Sequence, residues 1–142
     1  MIAILGVYIA YQQYRINKQR LRHETYKRRL AVYKCAQRYL SEIFRDGKTT
    51  FDRALQFNSE ASESAFLFDK SVQNKIDKIF KKSLDMAATR EEMYPSDGSS
   101  GLPVGDERSK VARKHSELLR WHTEQLKETR PSFAKKLGLK VT

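Results

Sequence analysis

Hydrophobic and polar positions divide this chain near Tyr14. Before it, Ile2, Ile4, Leu5, Val7, Tyr8, Ile9 and Tyr11 form a run with no charge. The run is apolar on all sides, where a helix packed on a core would show one stripe. It sits at the start of the sequence and reads as a membrane anchor over residues 1–14. A bilayer offers no water to backbone groups, so such a run is helical there. Met1 to Tyr14 rises about 21 Å as a helix, short of the roughly 30 Å hydrocarbon core. The expectation is that the apolar lead is truncated upstream of Met1, or that the helix only dips into the membrane. Tyr8, Tyr11 and Tyr14 fall at helical spacing near the end of the run, where aromatic rings favour the headgroup zone.

Beyond Tyr14 the apolar positions recur every three or four residues, the helical period. From Tyr14 to Arg45 there is no Gly or Pro. Leu30, Tyr33, Gln37, Leu40 and Phe44 mark one face, with Ala36 and Ile43 beside them. Asp46-Gly47 ends this helix, since glycine takes the left-handed position without a side-chain clash. Thr49 starts a second helix, with Asp52 three residues on as a short capping-box acid. That helix covers about 50–68, with Phe51, Leu55, Asn58, Ser62 and Ala65 on its packed face. A third, capped by Asp69 or Ser71, runs to Met93. Val72, Ile76, Ile79, Phe80, Ser83 and Ala87 form its apolar stripe, and Lys75, Lys78, Lys81 and Lys82 its wet face. No Gly or Pro separates the second from the third, so one kinked helix is an alternative. Residues 94–105 hold three of the six glycines and two of the three prolines, and read as a flexible connector. Asp106 caps the last helix, which runs to about Arg130 and buries Val111, His115, Leu118, Leu119, His122 and Leu126. Pro131 ends or kinks it, and Phe133 and Leu137 dock as a final turn. The fold class is therefore all-α: an anchor helix continuing into an antiparallel bundle of about four helices over 15–142.

Charge sharpens the junction. The chain carries 28 basic and 17 acidic residues, net +11. Residues 1–45 hold ten Lys/Arg and two Asp/Glu, net +8; the remaining eighteen and fifteen leave net +3. Arg15, Lys18, Arg20, Arg22, Lys27, Arg28 and Arg29, against Glu24 alone, are the candidate lipid-headgroup residues. Basic residues beside a membrane attract anionic lipid at about 1 kcal/mol each. The charges follow the apolar run, unlike those of a cleaved signal peptide. Cationic flanks stay inside. The expected placement is thus single-pass in the inner (plasma) membrane, N-terminus outside and body cytoplasmic. The same charge attracts nucleic acid. A nucleic-acid-binding helical protein using the basic N-terminal helix is the rival reading, disfavoured because the interleaved tyrosines fall on the apolar face. Cys35 is the only cysteine, which excludes an intrachain disulfide or a cysteine zinc site.

Catalytic constellations fail on spacing. His23-Glu24-Thr25-Tyr26-Lys27 puts lysine where a zinc helix needs its second histidine. His115 and His122 lie about 10.5 Å apart along one helix, too far for one metal. Gly98-x-x-Gly101 has no phosphate-binding lysine. Ser99, Ser100 and Ser109 have no evident base. No catalytic, cofactor or metal residue is expected, and no small-molecule substrate. The expected function is a membrane-anchored helical interaction module without catalytic activity. Its partners would be anionic lipid and an unidentified protein or a second copy. The exposed candidates are the Lys75–Lys82 face and the 94–105 loop.

Several segments resemble a family of small bacterial single-pass membrane proteins with a cytoplasmic helical domain. They are Tyr14-Arg15-Ile16-Asn17-Lys18, Arg29-Leu30-Ala31-Val32-Tyr33, Leu40-Ser41-Glu42-Ile43 with Arg45-Asp46-Gly47-Lys48, Ala65-Phe66-Leu67-Phe68, and Leu102-Pro103-Val104-Gly105-Asp106-Glu107-Arg108-Ser109. The resemblance implies an anchored helical body and no particular activity. Members of that family have a longer apolar lead.

Overall fold

The computed structural model describes residues 2–137. Met1, first in the expected anchor, and 138–142, last in the expected body, lie outside the described residues. Helix α1 runs unbroken from Ile2 to Asp46, as the absence of Gly and Pro after Gly6 allows. Gly47 stops it, with φ of 67° and its N–H donating to the Ile43 carbonyl at 2.8 Å. Helix α2 is Phe51–Glu60. Its cap is Thr50, one residue later than expected; the Thr50 hydroxyl accepts from the Arg53 N–H at 3.2 Å. Thr49 is buried instead, and its hydroxyl shares a 2.9 Å hydrogen bond with that of Tyr39.

A single turn, α3 (Ser64–Leu67), separates α2 from α4 (Lys70–Met93). Phe68 is extended, at φ −125° and ψ 162°, and Asp69 caps α4 by accepting from the Val72 N–H at 3.2 Å. The second and third helices are thus distinct. The break arises where an aspartate side chain supplies the backbone with a partner outside the helix. Helix α5, Asp106–Leu137, continues through Pro131. Pro131 is exposed, so the carbonyl left without its helical donor faces water.

Helices α1, α4 and α5 form the body. His115 on α5 bonds the Gly47 carbonyl at the end of α1, while Arg29 on α1 reaches the Lys136 carbonyl late in α5. These two helices are therefore antiparallel. Helix α4 also opposes α5, since Thr89 meets His115 and Lys75 meets Ser132. Helix α2 packs on α4 and α1. The fold is all-helical, with no strand among the described residues. Its core joins Tyr39, Leu40 and Ile43 to Phe57, Ile79, Met86 and Phe133. Tyr39 stacks on Phe57 with centroids 4.6 Å apart, and Phe133 lies edge-on to Phe68 at 5.1 Å.

Three helical faces differ from expectation. On α1 the buried column is Val32, Cys35, Ala36, Tyr39, Leu40 and Ile43, and Phe44 is exposed. On α2 it is Ala54 and Phe57, and Phe51 and Leu55 are exposed. Both helices have apolar residues on more than one side, so period alone does not select the face; packing on α5 selects it for α1, and packing on α4 for α2. On α5 Leu118 and His122 are buried as expected, but Val111, His115, Leu119 and Leu126 are half-buried, and Gln125, Thr129 and Phe133 complete the buried column. The expected stripe of α4 is recovered, with Phe80 half-buried.

The expected single-pass inner-membrane placement is overturned. No helix of the described residues is long and apolar enough to cross a membrane. In α1 the apolar run is followed at once by Gln12, Gln13, Arg15, Asn17, Lys18 and Gln19. Extending the run toward the length a bilayer requires therefore brings polar side chains to core depth.

Candidate functional site

The start of α1 stands outside the core. Among the described residues none before Val32 is buried, and before Thr25 only Gln12 is even partly covered. At 1.5 Å per residue this arm extends about 35 Å beyond the body. Helix nucleation is the costly step, and the packed part of α1 supplies the nucleus that the arm prolongs. The seven apolar positions all lie here: Ile2, Ile4, Leu5, Val7, Tyr8, Ile9 and Tyr11 are between 53% and 89% exposed. None of the described residues covers them.

Arg15, Lys18, Arg20, Arg22, Lys27 and Arg28 are likewise exposed on the arm. Apolar and basic residues are therefore segregated along the helix axis, where an in-plane amphipathic helix segregates them around it. Arg29 differs. Its Nε donates to the Leu67 carbonyl at 2.9 Å, one Nη to that of Lys136 at 3.3 Å, and its guanidinium lies 5.8 Å over the Phe68 ring. Of the seven basic residues, Arg29 is the one that ties the arm to the body.

The two histidines of α5 are engaged in the interior. His122 is fully buried. Its Nδ1 faces the Leu118 carbonyl at 2.7 Å and so carries the proton; its Nε2 meets the Ser83 hydroxyl at 3.2 Å. Burial lowers its pKa below the ordinary 6.5, with Lys82 adding to the effect and hydrogen bonds to backbone carbonyls opposing it. His115 joins three elements, through Thr89 at 2.9 Å and the Gly47 carbonyl at 2.9 Å. Cys35 sits beside Glu60, Sγ to Oε2 3.4 Å. Burial, and then the Glu60 carboxylate, push the thiol up to about 11, which leaves it in the unreactive protonated form. Among the described residues no group of three His, Cys, Asp or Glu is placed to hold a metal.

The 94–105 segment carries its own bonds. Ser96 N–H donates to Glu91, Leu102 N–H to the Glu92 carbonyl at 3.1 Å, and Arg108 to the Leu102 carbonyl at 2.7 Å. Arg90 and Arg108 flank the Tyr94 ring at 5.7 and 5.0 Å. The hydrogen bonds to Ser96 lower the pKa of Glu91.

The expected lysine face of α4 is only partly wet. Lys78 and Lys82 each lie 5.9 Å from the Trp121 ring, and Lys75 donates to Ser132 at 2.6 Å. Lys81 is exposed. Lys135 and Lys136, which the pattern of apolar and charged positions does not single out, join Lys75 and Lys78 along one groove. The signal for them in the sequence is a lysine pair at the end of an amphipathic helix. What is not legible there is that antiparallel packing sets that pair beside the start of α4.

Protein-family models, curated proteins and solved structures offer no match to this chain.

Proposed function

We propose that the protein is a non-catalytic helical interaction module, held at an anionic lipid surface by its N-terminal arm, with the body presented to a protein partner or a second copy. The arm seats in one leaflet. Residues 2–11 rise about 15 Å, half of a hydrocarbon core of roughly 30 Å. The basic residues after them then sit at headgroup level, each favourable by about 1 kcal/mol near an anionic surface. The observation that carries this reading is the arm itself: exposed along its length, apolar first and basic next, with Arg29 bracing its base against the body. Apolar burial is not screened by salt, whereas the attraction of the basic stretch is. The two contributions are therefore separable.

Vesicle co-sedimentation of the full chain tests this. Binding to phosphatidylcholine vesicles containing phosphatidylserine should persist in part at high salt. It should fall sharply in the Ile4→Ser, Ile9→Ser double variant. Replacing Arg20, Arg22 and Arg28 by Glu should remove only the salt-sensitive share. Binding abolished by salt alone would eliminate the apolar seat. Absence of vesicle binding, with tight DNA or RNA binding of steep salt dependence, would replace this reading by the nucleic-acid one.

A further inference from the structure

We infer that the groove between the start of α4 and the end of α5 is a binding site for a phosphoryl group. Lys75 and Lys78 come from α4, Lys135 and Lys136 from α5, and Asn74 and Ser132 add neutral polar groups to the wall of a recess of about 380 Å³. Residues three apart on a helix share a face, which aligns Lys75 with Lys78. Antiparallel packing then brings the second pair opposite the first.

The charge balance points to a dianion. Lys136 is paired with Asp69, and Lys75 lies 3.9 Å from Glu128. Lys78 and Lys135 have no carboxylate within ion-pair distance among the described residues. Four cations and two carboxylates leave an excess of two positive charges. A phosphate monoester carries roughly −1.5 to −2 at neutral pH. Its several acceptor oxygens suit ammonium and amide donors arriving from two walls; the Ser132 hydroxyl donates to the Glu128 carbonyl and serves to hold Lys75. The Lys75–Ser132 bond at 2.6 Å holds one ammonium in place at the rim rather than free in solvent. A monocarboxylate would leave half the excess unanswered. Because Arg29 bonds Lys136 and Leu67, the groove opens at the arm end of the body. A lipid headgroup and a free phosphate compound both carry this group. The site stands on its own geometry, independent of whether the arm enters a membrane.

The experiment uses the full chain and inorganic phosphate, titrated calorimetrically at low salt. The Lys78→Ala, Lys135→Ala variant, with helicity checked by circular dichroism, should bind at least about tenfold more weakly, the loss expected from removing charge-assisted hydrogen bonds. The Lys110→Ala, Lys114→Ala variant removes the same charge from exposed positions at the other end of α5 and should bind as the parent does. Equal weakening in both variants, or no phosphate binding by the parent, overturns the site. A second arm identifies the source of the group. Vesicles of phosphatidylcholine with phosphatidic acid are compared with vesicles carrying phosphatidylserine. Loss of a phosphatidic-acid preference in the groove variant alone assigns the group to a headgroup. Retained vesicle behaviour with weakened phosphate binding assigns it to a free phosphate compound. Duplex DNA displacing phosphate and weakened alike by both variants overturns the proposal in favour of a diffuse nucleic-acid surface. The vesicle arm depends on the groove lysines and the earlier test on Ile4 and Ile9, so the two readings fail separately.

Discussion

Phe133 decides whether α5 ends at Pro131 or continues to hold the body together. Its side chain is fully buried. It lies 5.1 Å edge-on from Phe68 and 5.5 Å from Tyr33, tilted by 50°. It therefore joins the end of α5 to α1 and to the α3–α4 junction. Phe133→Ala removes the buried ring and both aromatic contacts. Phenylalanine-to-alanine changes in cores cost about 3–5 kcal/mol, of which each aromatic pair supplies about 0.5–1.5 kcal/mol. The site cannot collapse easily, because it is walled by two other rings. We expect a loss in the upper half of that range. Phe133→Leu, which refills most of the volume, should lose under about 1.5 kcal/mol. Urea unfolding followed by circular dichroism and by Trp121 fluorescence provides the measurement, with an unchanged m-value expected. A loss below about 1 kcal/mol for the alanine variant would mean that the turn after Pro131 opens independently of the body, and the packing argument would be refuted.

Three further outcomes rest on single contacts. A Cβ on Gly101 would lie 2.0 Å from the Met93 carbonyl oxygen; Gly101→Ala should displace the 94–105 segment, costing about 1–3 kcal/mol, with Leu102 losing amide-exchange protection. An unprotected parent Leu102 amide would count against it. Because the His122 pKa is lowered when folded, the unfolded chain binds this proton first as pH falls. The stability from neutral His122 is present above its ordinary 6.5 and declines as pH drops from there toward the folded value. His122→Gln should flatten that decline in urea titrations between neutral and mildly acidic pH, and an unchanged slope would show that other groups govern it. Thr50→Ala removes the cap of α2 and should cost about 1 kcal/mol without altering the far-ultraviolet spectrum. A neutral substitution would mean that water satisfies the Arg53 N–H equally well.

Local chemistry determined the helices of this protein. Missing Gly and Pro residues, the glycine after Asp46, the aspartate before α4 and the Pro/Gly-rich stretch at 94–105 each act within a few residues. So does the stripe of α4, whose apolar residues occupy a single face. Tertiary structure alone decided which face of α1 and α2 is buried, because Phe44, Phe51 and Leu55 are as hydrophobic as the residues that replaced them in the core. It also carried α5 through Pro131, where burial of Phe133 outweighs a lost backbone bond on the wet side. At the candidate sites the division is the same. The apolar-then-basic arm is legible because its residues are consecutive. The lysine groove is not, since Lys75 and Lys135 lie sixty residues apart and meet only when α4 and α5 pack antiparallel.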